Sequence, residues 1–250
     1  MIRGVLCDLS GVLYLADQLV PGARDALISL RAAGLPVRFV TNVTRMPKVR
    51  ILQKLAGLGL DVDEEDLFTP VSAARDYLRR QGLHAHLLVH PELMAEVADL
   101  AGSAPAAVLV GDAGSLFSYQ ALNDAFRKLL AGSTLLAMGN NRYFREPEGL
   151  SLDLGPFVKA LEFAAGCEAI VLGKPSKDFF GAAVDSLGLA PEDVVMVGDD
   201  YEADVAGALA AGLQAILVRT GKYRKGDEAL IGRPGARVCE DLNAAADLIL

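Results

Sequence analysis

The stretch Asp8-Leu9-Ser10-Gly11-Val12-Leu13 follows directly on a short β-rich run, Ile2 to Leu6, near the amino terminus. Such a run predicts a central parallel strand that is covered on both faces, and Gly11 suits a tight backbone turn. Asp8 is therefore expected at the carboxyl end of a buried strand, where a carboxylate can attack an electrophile or bind a metal ion. Taken alone, an aspartate that caps a turn is the plainer interpretation.

Strand and helix patterns alternate in two separate blocks of the chain. The first block predicts helix 23–33, strand 37–40 and helix 47–58 after the initial strand; the second predicts strand 170–172, helix 177–187, strand 194–197, helix 202–211 and strand 215–218. Alternation of short apolar strands with helices of this length is typical of a doubly wound parallel sheet. The fold class is therefore α/β with a Rossmann-like core.

A self-contained α/β segment lies between the two blocks. It predicts helices 72–81, 92–100, 119–130 and 156–164 and strands 86–89, 107–110 and 134–138. An insertion of this size predicts a second domain hinged over the crevice of the sheet. We expect a core domain over 1–69 and 169–250 and an inserted α/β domain over 70–168.

Three more polar segments follow predicted strands: Thr41-Asn42, Lys174-Pro175, and Gly198-Asp199-Asp200 with Asp204 close behind. Because the carboxyl ends of parallel strands line one crevice, residues that are scattered in sequence can meet there around a single ligand. Together with Asp8, these segments predict an active site at this edge of the sheet.

The residue types at this edge suit phosphate chemistry beside a metal ion. Paired carboxylates next to Asp8 would repel one another unless a cation neutralised them, and hard oxygen ligands favour Mg²⁺. The plainer interpretation of Asp200 and Asp204 is charge at a helix N-terminus. Thr41 and Asn42 stand at a strand-to-helix junction that can bind an anion. Lys174 can neutralise a phosphoryl group or hold two carboxylates apart, although a single lysine is usually exposed.

Composition excludes several classes of protein. The chain has 250 residues, 52% of them hydrophobic and 22% charged, which indicates a globular protein. A net charge of -8 argues against nucleic acid or an anionic membrane as partner. Three cysteines without metal-type spacing fit reduced thiols in a cytoplasmic protein. Asp8 interrupts the only stretch that resembles a signal sequence, and no apolar run is long enough to span a membrane.

Other catalytic motifs are absent or weak. The sequence has no glycine-rich P-loop and no G-x-S-x-G elbow, which disfavours Walker-type nucleotide hydrolysis and a serine hydrolase. His84, His86 and His90 make a zinc site conceivable, but no thiolate or carboxylate completes an evident ligand set. A solvated strand edge in the inserted domain is the preferred interpretation of these histidines.

In order and spacing, the four segments resemble the motifs of the haloacid dehalogenase superfamily of phosphatases, and the insertion resembles its C2-type cap. The similarity covers nearly the whole chain, including Phe117-Ser118-Tyr119-Gln120 and Val218-Arg219-Thr220-Gly221-Lys222. It is close to a subgroup that acts on pyrophosphate, phosphohistidine and phospholysine. Because C2-capped relatives often dimerise through the cap, the resemblance makes a homodimer plausible.

The resemblance implies a role for each site residue. Asp8 would attack phosphorus to form an aspartyl-phosphate, and Mg²⁺ would be held by Asp8, the Ser10 main-chain carbonyl and Asp199. Phosphoryl charge would be bound by Thr41, the Asn42 main chain and Lys174, with Asp200 and Asp204 as outer supports.

Ser10 departs from the pattern of most superfamily phosphatases, which carry an aspartate there as the acid that protonates the leaving group. Serine cannot replace a carboxylic acid near neutral pH, and the lost role contributes on the order of 10²–10⁴ in rate. The departure therefore favours labile P–O–P or P–N substrates, whose leaving groups need little help. A slow general phosphomonoesterase and a phosphate-binding protein with little turnover are the alternatives. Asn141 or Arg142, in the loop 139–143, is the weakly preferred determinant of substrate choice.

Overall fold

The structure is a computed structural model that describes residues 1–146, 149–231 and 235–250. Its strands are β1 (Gly4–Asp8), β2 (Tyr14–Leu15), β3 (Gln18–Leu19), β4 (Val37–Val40), β5 (Leu67–Phe68), β6 (Ala85–Leu88), β7 (Ala107–Val110), β8 (Thr134–Ala137), β9 (Tyr143–Glu146), β10 (Gly149–Leu152), β11 (Ile170–Val171), β12 (Val194–Gly198), β13 (Gln214–Val218) and β14 (Ala236–Cys239). Its α-helices are α1 (Ala23–Ala32), α2 (Lys48–Gly57), α3 (Pro70–Gln81), α4 (Met94–Val97), α5 (Tyr119–Leu130), α6 (Leu154–Ala165), α7 (Lys177–Asp185), α8 (Gly207–Ala210) and α9 (Leu242–Ile249). None of the described helices is long and apolar enough to cross a bilayer.

The chain divides into two compact units. The first unit comprises Met1–Thr41, Ile51–Phe68 and Lys174–Leu250, and the second comprises Asn42–Arg50 and Thr69–Gly173. Both units contain a parallel sheet with helices, so the predicted α/β fold class is confirmed. The second unit takes up the segment 42–50 as well as 69–173, which includes all of the predicted insertion 70–168. That the insertion is hinged stays a prediction.

The first unit is built on a six-stranded sheet in the order β14-β13-β12-β1-β4-β5, and its ladders are parallel. Every residue of β1 and β12 is buried, as expected for central strands with both faces covered. The register sets Cys7 opposite Val197 and Asp8 opposite Val40. The carboxyl ends of β1, β4 and β12 therefore lie side by side.

The helices of this unit form where apolar spacing and end signals agree. In α1, Ala26, Leu27 and Leu30 are buried on one face, and the helix gives way to a left-handed Gly34. Lys177–Asp185 likewise buries Phe179, Phe180 and Val184. Both helices thus pack an apolar stripe while their charged residues stay exposed.

The second unit has its own four-stranded parallel sheet, in the order β11-β8-β7-β6, and β9 pairs with β10 in an antiparallel arrangement. Successive residues of β7 belong to different apolar clusters: Ala107 and Leu109 to one, Val108 and Val110 to the other. Since side chains alternate across a strand, both faces of this sheet are covered. Side chains of Thr69, Ser118 and Asp153 cap α3, α5 and α6.

Three predicted elements differ from the structure. The strand expected over 170–172 forms as β11, but it pairs with β8 of the second unit instead of joining the first sheet. The helix expected over 92–100 is broken, because two 3₁₀ turns flank the four residues of α4. The helix expected over 202–211 begins with a π-helical segment, Tyr201–Ala206, where Asp200 accepts two main-chain N–H bonds. Apolar periodicity alone does not report such local side-chain bonds.

Candidate active site

Strand ends of the first sheet place three of the predicted site residues in the interior of the first unit. Asp8 ends β1, Thr41 follows β4, and Asp199 follows β12; each of them is buried. The main chain of Thr41 is held by a hydrogen bond from its N–H to the carbonyl of Phe68 (3.2 Å). These positions follow directly from the parallel register of β1 with its two neighbours.

Lys174 forms a buried bridge between two carboxylates. Its Nζ lies 2.6 Å from Asp8 Oδ1 and 2.7 Å from Asp204 Oδ1, and the side chain is only 3% exposed. A third contact runs from Nζ to the carbonyl of Val40 (3.5 Å). Lys174 therefore fixes the orientation of the Asp8 carboxylate and ties it to the π-helical segment that carries Asp204.

Asp199 sits in a narrow space between two glycines. A Cβ atom on Gly11 or on Gly221 would lie 1.9 Å from Asp199 Oδ2, and both glycines have positive φ values, 94° and 59°. A Cβ atom excludes neighbours at that distance, so only glycine fits at either position. The main-chain N–H of Lys222 also donates to Asp199 Oδ2 (2.6 Å).

Asp200 lies toward the edge of the cluster and acts as an N-cap. Its Oδ1 accepts from the main-chain N–H groups of Glu202 and Ala203, both at 3.1 Å. Its Oδ2 accepts from the ammonium of Lys222, also at 3.1 Å. The main-chain N–H of Asp200 donates to Asp204 Oδ2 (3.1 Å), which links the two carboxyl groups through the backbone. The predicted charge at a helix N-terminus is thus present at Asp200, here on a π-helical turn.

Burial and like charge together shift the titration of this cluster. Burial, with the charges of Asp8 and Asp204, raises the pKa of Asp199 to about 8. Burial also raises the pKa of Asp204 to about 7, and the nearby ammonium of Lys174 only partly offsets it. Burial works against the charge of Lys174, but the two carboxylates outweigh it and hold its pKa above the usual value. Burial and like charge therefore favour the protonated form of the Asp199 and Asp204 carboxyl groups.

The residues present fit a divalent cation. Carboxylate oxygens of Asp8, Asp199 and Asp204 all lie within 4.8 Å of one another. Among the residues that the structure describes, these carboxyl groups and that of Asp200 meet the ammonium groups of Lys174 and Lys222, so four carboxylates face two cations when all are ionised, an excess of two negative charges. Oxygen ligands with this excess charge suit a hard cation such as Mg²⁺.

The other predicted site residues have different surroundings. Ser10 is exposed and forms a β-bridge with Tyr14. Asn42 groups with the second unit, where its side-chain amide donates to Asn141 (3.4 Å). Arg142, the other weakly preferred residue, is exposed in the second unit.

The histidines do not form part of a metal-type cluster in the described structure. Among the residues that the structure describes, the ligand-type side chains that converge are the three aspartates, without His84, His86 or His90. Nδ1 of His90 instead accepts from the main-chain N–H of Glu92 (3.3 Å).

Sequence reasoning missed the role of the segment Thr220-Gly221-Lys222, which follows β13 and contacts both Gly11 and Asp199. The sequence signal for this segment was its resemblance to the superfamily, and that resemblance implied no role for its residues. Asp204, which the resemblance implies as an outer support, is completely buried and pairs directly with Lys174. A contact between a loop and a strand end that is distant in sequence produces no periodic pattern of apolar residues.

Comparisons with known proteins identify the family of the chain. A family model described as "Haloacid dehalogenase-like hydrolase" matches residues 5–102, and one described as "HAD-hydrolase-like" matches residues 171–245. The chain is 45% identical to human haloacid dehalogenase-like hydrolase domain-containing protein 2, over 100% of this chain and 96% of that protein. It is 40% identical to human phospholysine phosphohistidine inorganic pyrophosphate phosphatase, over 100% and 94% of the two chains.

A solved structure shares the fold over almost the whole chain. The glycerol phosphate phosphatase of Mycobacterium tuberculosis, crystallised in complex with magnesium, superposes with a TM-score of 0.84 at 26% identity, over 97% of this chain and 76% of the other. Two full-length relatives above 30% identity, two family models and a shared fold lead to one conclusion. The chain belongs to the haloacid dehalogenase-like hydrolases and is a phosphatase of that family.

Proposed function

We propose that this phosphatase depends on Mg²⁺, acts through an aspartyl-phosphate on Asp8, and prefers substrates with labile P–O–P or P–N bonds. The observation that carries the proposal is the position of the Asp8 carboxylate and the groups that surround it. It is buried at a strand end, held by Lys174 at 2.6 Å, and clustered with Asp199 and Asp204. A structural aspartate that merely caps a turn needs none of these partners.

The proposed reaction has two steps. An oxygen of Asp8 attacks phosphorus, so that an aspartyl O–P bond forms while the P–O or P–N bond to the leaving group breaks. Water then cleaves the aspartyl-phosphate, which releases inorganic phosphate and restores the carboxylate. Lys174 orients Asp8 throughout, and with Thr41 and the Asn42 main chain it offsets phosphoryl charge.

Asp8, Asp199 and the main-chain carbonyl of Ser10 would hold Mg²⁺. When bound, the ion supplies positive charge against the carboxylates and the phosphoryl oxygens. Support for this choice comes from the carboxylate oxygens of Asp8, Asp199 and Asp204, which lie within 4.8 Å of one another, and from the magnesium with which the mycobacterial phosphatase was crystallised. Asp204 and Asp200 support the site through Lys174 and Lys222.

Ser10 carries the proposed substrate preference. A hydroxyl cannot protonate an alcohol leaving group near neutral pH. Phosphate leaves as a stable anion, and the amine of a phosphoramidate leaves readily once its nitrogen carries a proton, so neither needs a carboxylic acid. The name of the relative at 40% identity includes phospholysine, phosphohistidine and pyrophosphate, which supports the same class. The name of the relative at 45% identity specifies no substrate.

A general phosphomonoesterase is the second candidate, because the mycobacterial structure that shares this fold is named a glycerol phosphate phosphatase. In that case water would carry the proton that Ser10 cannot supply. A homodimer through the second unit and a cytoplasmic location also stay predictions.

The test compares initial rates on pyrophosphate, phosphohistidine, phospholysine and a sugar phosphate, with and without Mg²⁺. We expect the first three to exceed the sugar phosphate, and chelation to abolish all four rates. The variant Asp199→Asn should lose activity, whereas Asp247→Asn, the same change at an exposed position of α9, should not. Faster turnover of the sugar phosphate would refute the substrate preference, and full activity in the presence of a chelator would refute Mg²⁺ dependence.

A further inference from the structure

The segment Thr220-Gly221-Lys222, here called the 220–222 loop, joins two parts of the site that lie far apart in sequence. The hydroxyl of Thr220 donates to the main-chain carbonyl of Gly11. Two residues later, the main-chain N–H of Lys222 donates to Asp199 Oδ2 at 2.6 Å. One loop therefore holds both the segment that follows Asp8 and a carboxylate of the metal-type cluster.

Packing around this loop leaves no room for adjustment. A Cβ atom on Gly221 would lie 1.9 Å from Asp199 Oδ2 and 2.6 Å from the Cα of Gly11. A Cβ atom on Gly11 would meet the same carboxylate oxygen at 1.9 Å. The loop, the Gly11 main chain and the Asp199 carboxylate are thus in direct contact, and a shift in one displaces the others.

The contacts bear on the two metal ligands that are not Asp8. Gly11 follows Ser10, whose main-chain carbonyl is a proposed ligand. The Thr220 bond holds the Gly11 carbonyl, on the next peptide, and so restrains the Gly11 main chain to which the Ser10 carbonyl is joined. The Lys222 N–H restrains the carboxylate of Asp199. Ligands that are held in place before binding lose less freedom when the ion arrives, which raises affinity.

We propose that Thr220 is a positioning residue, and that the 220–222 loop sets the affinity of the site for Mg²⁺ by holding in place the Asp199 carboxylate and the Gly11 main chain next to Ser10. This inference rests on the proposed function, because it takes Asp199 and Ser10 as ligands. If the loop only stabilised the fold, loss of the Thr220 hydroxyl would lower stability without weakening Mg²⁺ binding in the folded protein.

The experiment titrates MgCl₂ alone into the metal-free full-length protein by calorimetry and measures kcat on pyrophosphate across Mg²⁺ concentrations. Loss of one such hydrogen bond should weaken Mg²⁺ binding by Thr220→Val about three- to tenfold, while kcat at saturating Mg²⁺ stays near that of the wild type. Thr220→Ser keeps the hydroxyl and should bind Mg²⁺ as the wild type does. The matched control Thr134→Val makes the same change in β8 of the second unit and should leave Mg²⁺ binding unaltered.

Wild-type affinity in folded Thr220→Val, or equal weakening in Thr134→Val, would overturn the inference. If Thr220→Val fails to fold, Thr220→Ala deletes the same hydroxyl with less bulk and is judged by the same criteria. The variant Asp199→Asn distinguishes a failure of this inference from a failure of the proposed metal site. Weakened binding in Asp199→Asn with unchanged binding in Thr220→Val removes the inference alone. Unchanged binding in Asp199→Asn removes the proposed metal site, and the inference with it.

Discussion

Replacement of Lys174 by methionine should damage both stability and catalysis. Methionine keeps much of the length and apolar volume of lysine but removes the ammonium that lies 2.6 Å from Asp8 and 2.7 Å from Asp204. Deletion of one partner from a buried ion pair costs about 3–5 kcal/mol, because the other charge is left without compensation. We expect a value near the lower end, about 3 kcal/mol, since Asp204 already has a pKa of about 7 and can take up a proton.

Lys174→Met should also lower kcat by more than its loss of stability can explain. The ammonium of Lys174 donates directly to the Asp8 carboxylate, and in the proposed reaction it also faces the charge that develops on the phosphoryl group. Removal of a single preorganised charge of this kind lowers kcat by about 10²–10³. The loss should persist at saturating Mg²⁺, because the ion and the ammonium occupy different places in the proposed site.

The assay combines urea unfolding at pH 7.5 with pyrophosphate hydrolysis at saturating Mg²⁺. Lys177→Met is the matched control, since Lys177 is exposed in α7 and only three residues away. Its unfolding free energy should stay within about 0.5 kcal/mol of the wild type, and its kcat should not change. Wild-type stability and turnover in Lys174→Met would show that the Asp8–Lys174–Asp204 bridge has neither of the roles assigned to it.

Two further predictions concern Ser10 and the protons of the cluster. Because Ser10 is exposed, Ser10→Asp has room for a carboxylic acid. The ratio of sugar-phosphate to pyrophosphate turnover should rise about tenfold or more, which is part of the factor of about 10²–10⁴ that acid–base catalysis contributes. An unchanged ratio would contradict the explanation of substrate preference. In the metal-free protein the folded-state pKa of Asp199, about 8, lies above the unfolded value of about 3.9, so the folded state binds more protons between these values. The unfolding free energy should therefore decrease as the pH rises from about 4 to about 8. Urea unfolding at pH 5.5 and pH 8.0 measures this slope, which Asp199→Asn should flatten; equal slopes in the two proteins would contradict the assignment.

Much of the fold was accessible from sequence because burial leaves a periodic pattern. Strands β1, β7 and β12 and helix α5 form within a residue or two of the predicted bounds. The two-residue strands β5 and β11 are too short for such a pattern, so one was missed and the other was assigned to the wrong sheet. Which sheet a short strand joins depends on its tertiary neighbours, which hydrophobic periodicity does not encode.

The site was accessible in outline for a different reason. The carboxyl ends of parallel strands lie at the same edge of a sheet. Asp8 and Asp199 each follow a predicted strand, so they could be placed together from the sequence pattern. From sequence, Lys174 is a cation that can neutralise a phosphoryl group or hold two carboxylates apart, and in the structure it contacts the carboxylates of Asp8 and Asp204. What could not be predicted was the identity of the second carboxylate, Asp204, or the contact of the 220–222 loop, because both depend on side-chain geometry within loops.

The proposed reaction requires that Asp8 becomes phosphorylated during turnover. Acid quenching of the enzyme during hydrolysis of radiolabelled pyrophosphate, followed by peptide mapping, tests it directly. We predict a hydroxylamine-sensitive label on the peptide that contains Asp8, and neither label nor turnover in Asp8→Asn. Label on another residue, or turnover in Asp8→Asn at the wild-type rate, would contradict the account.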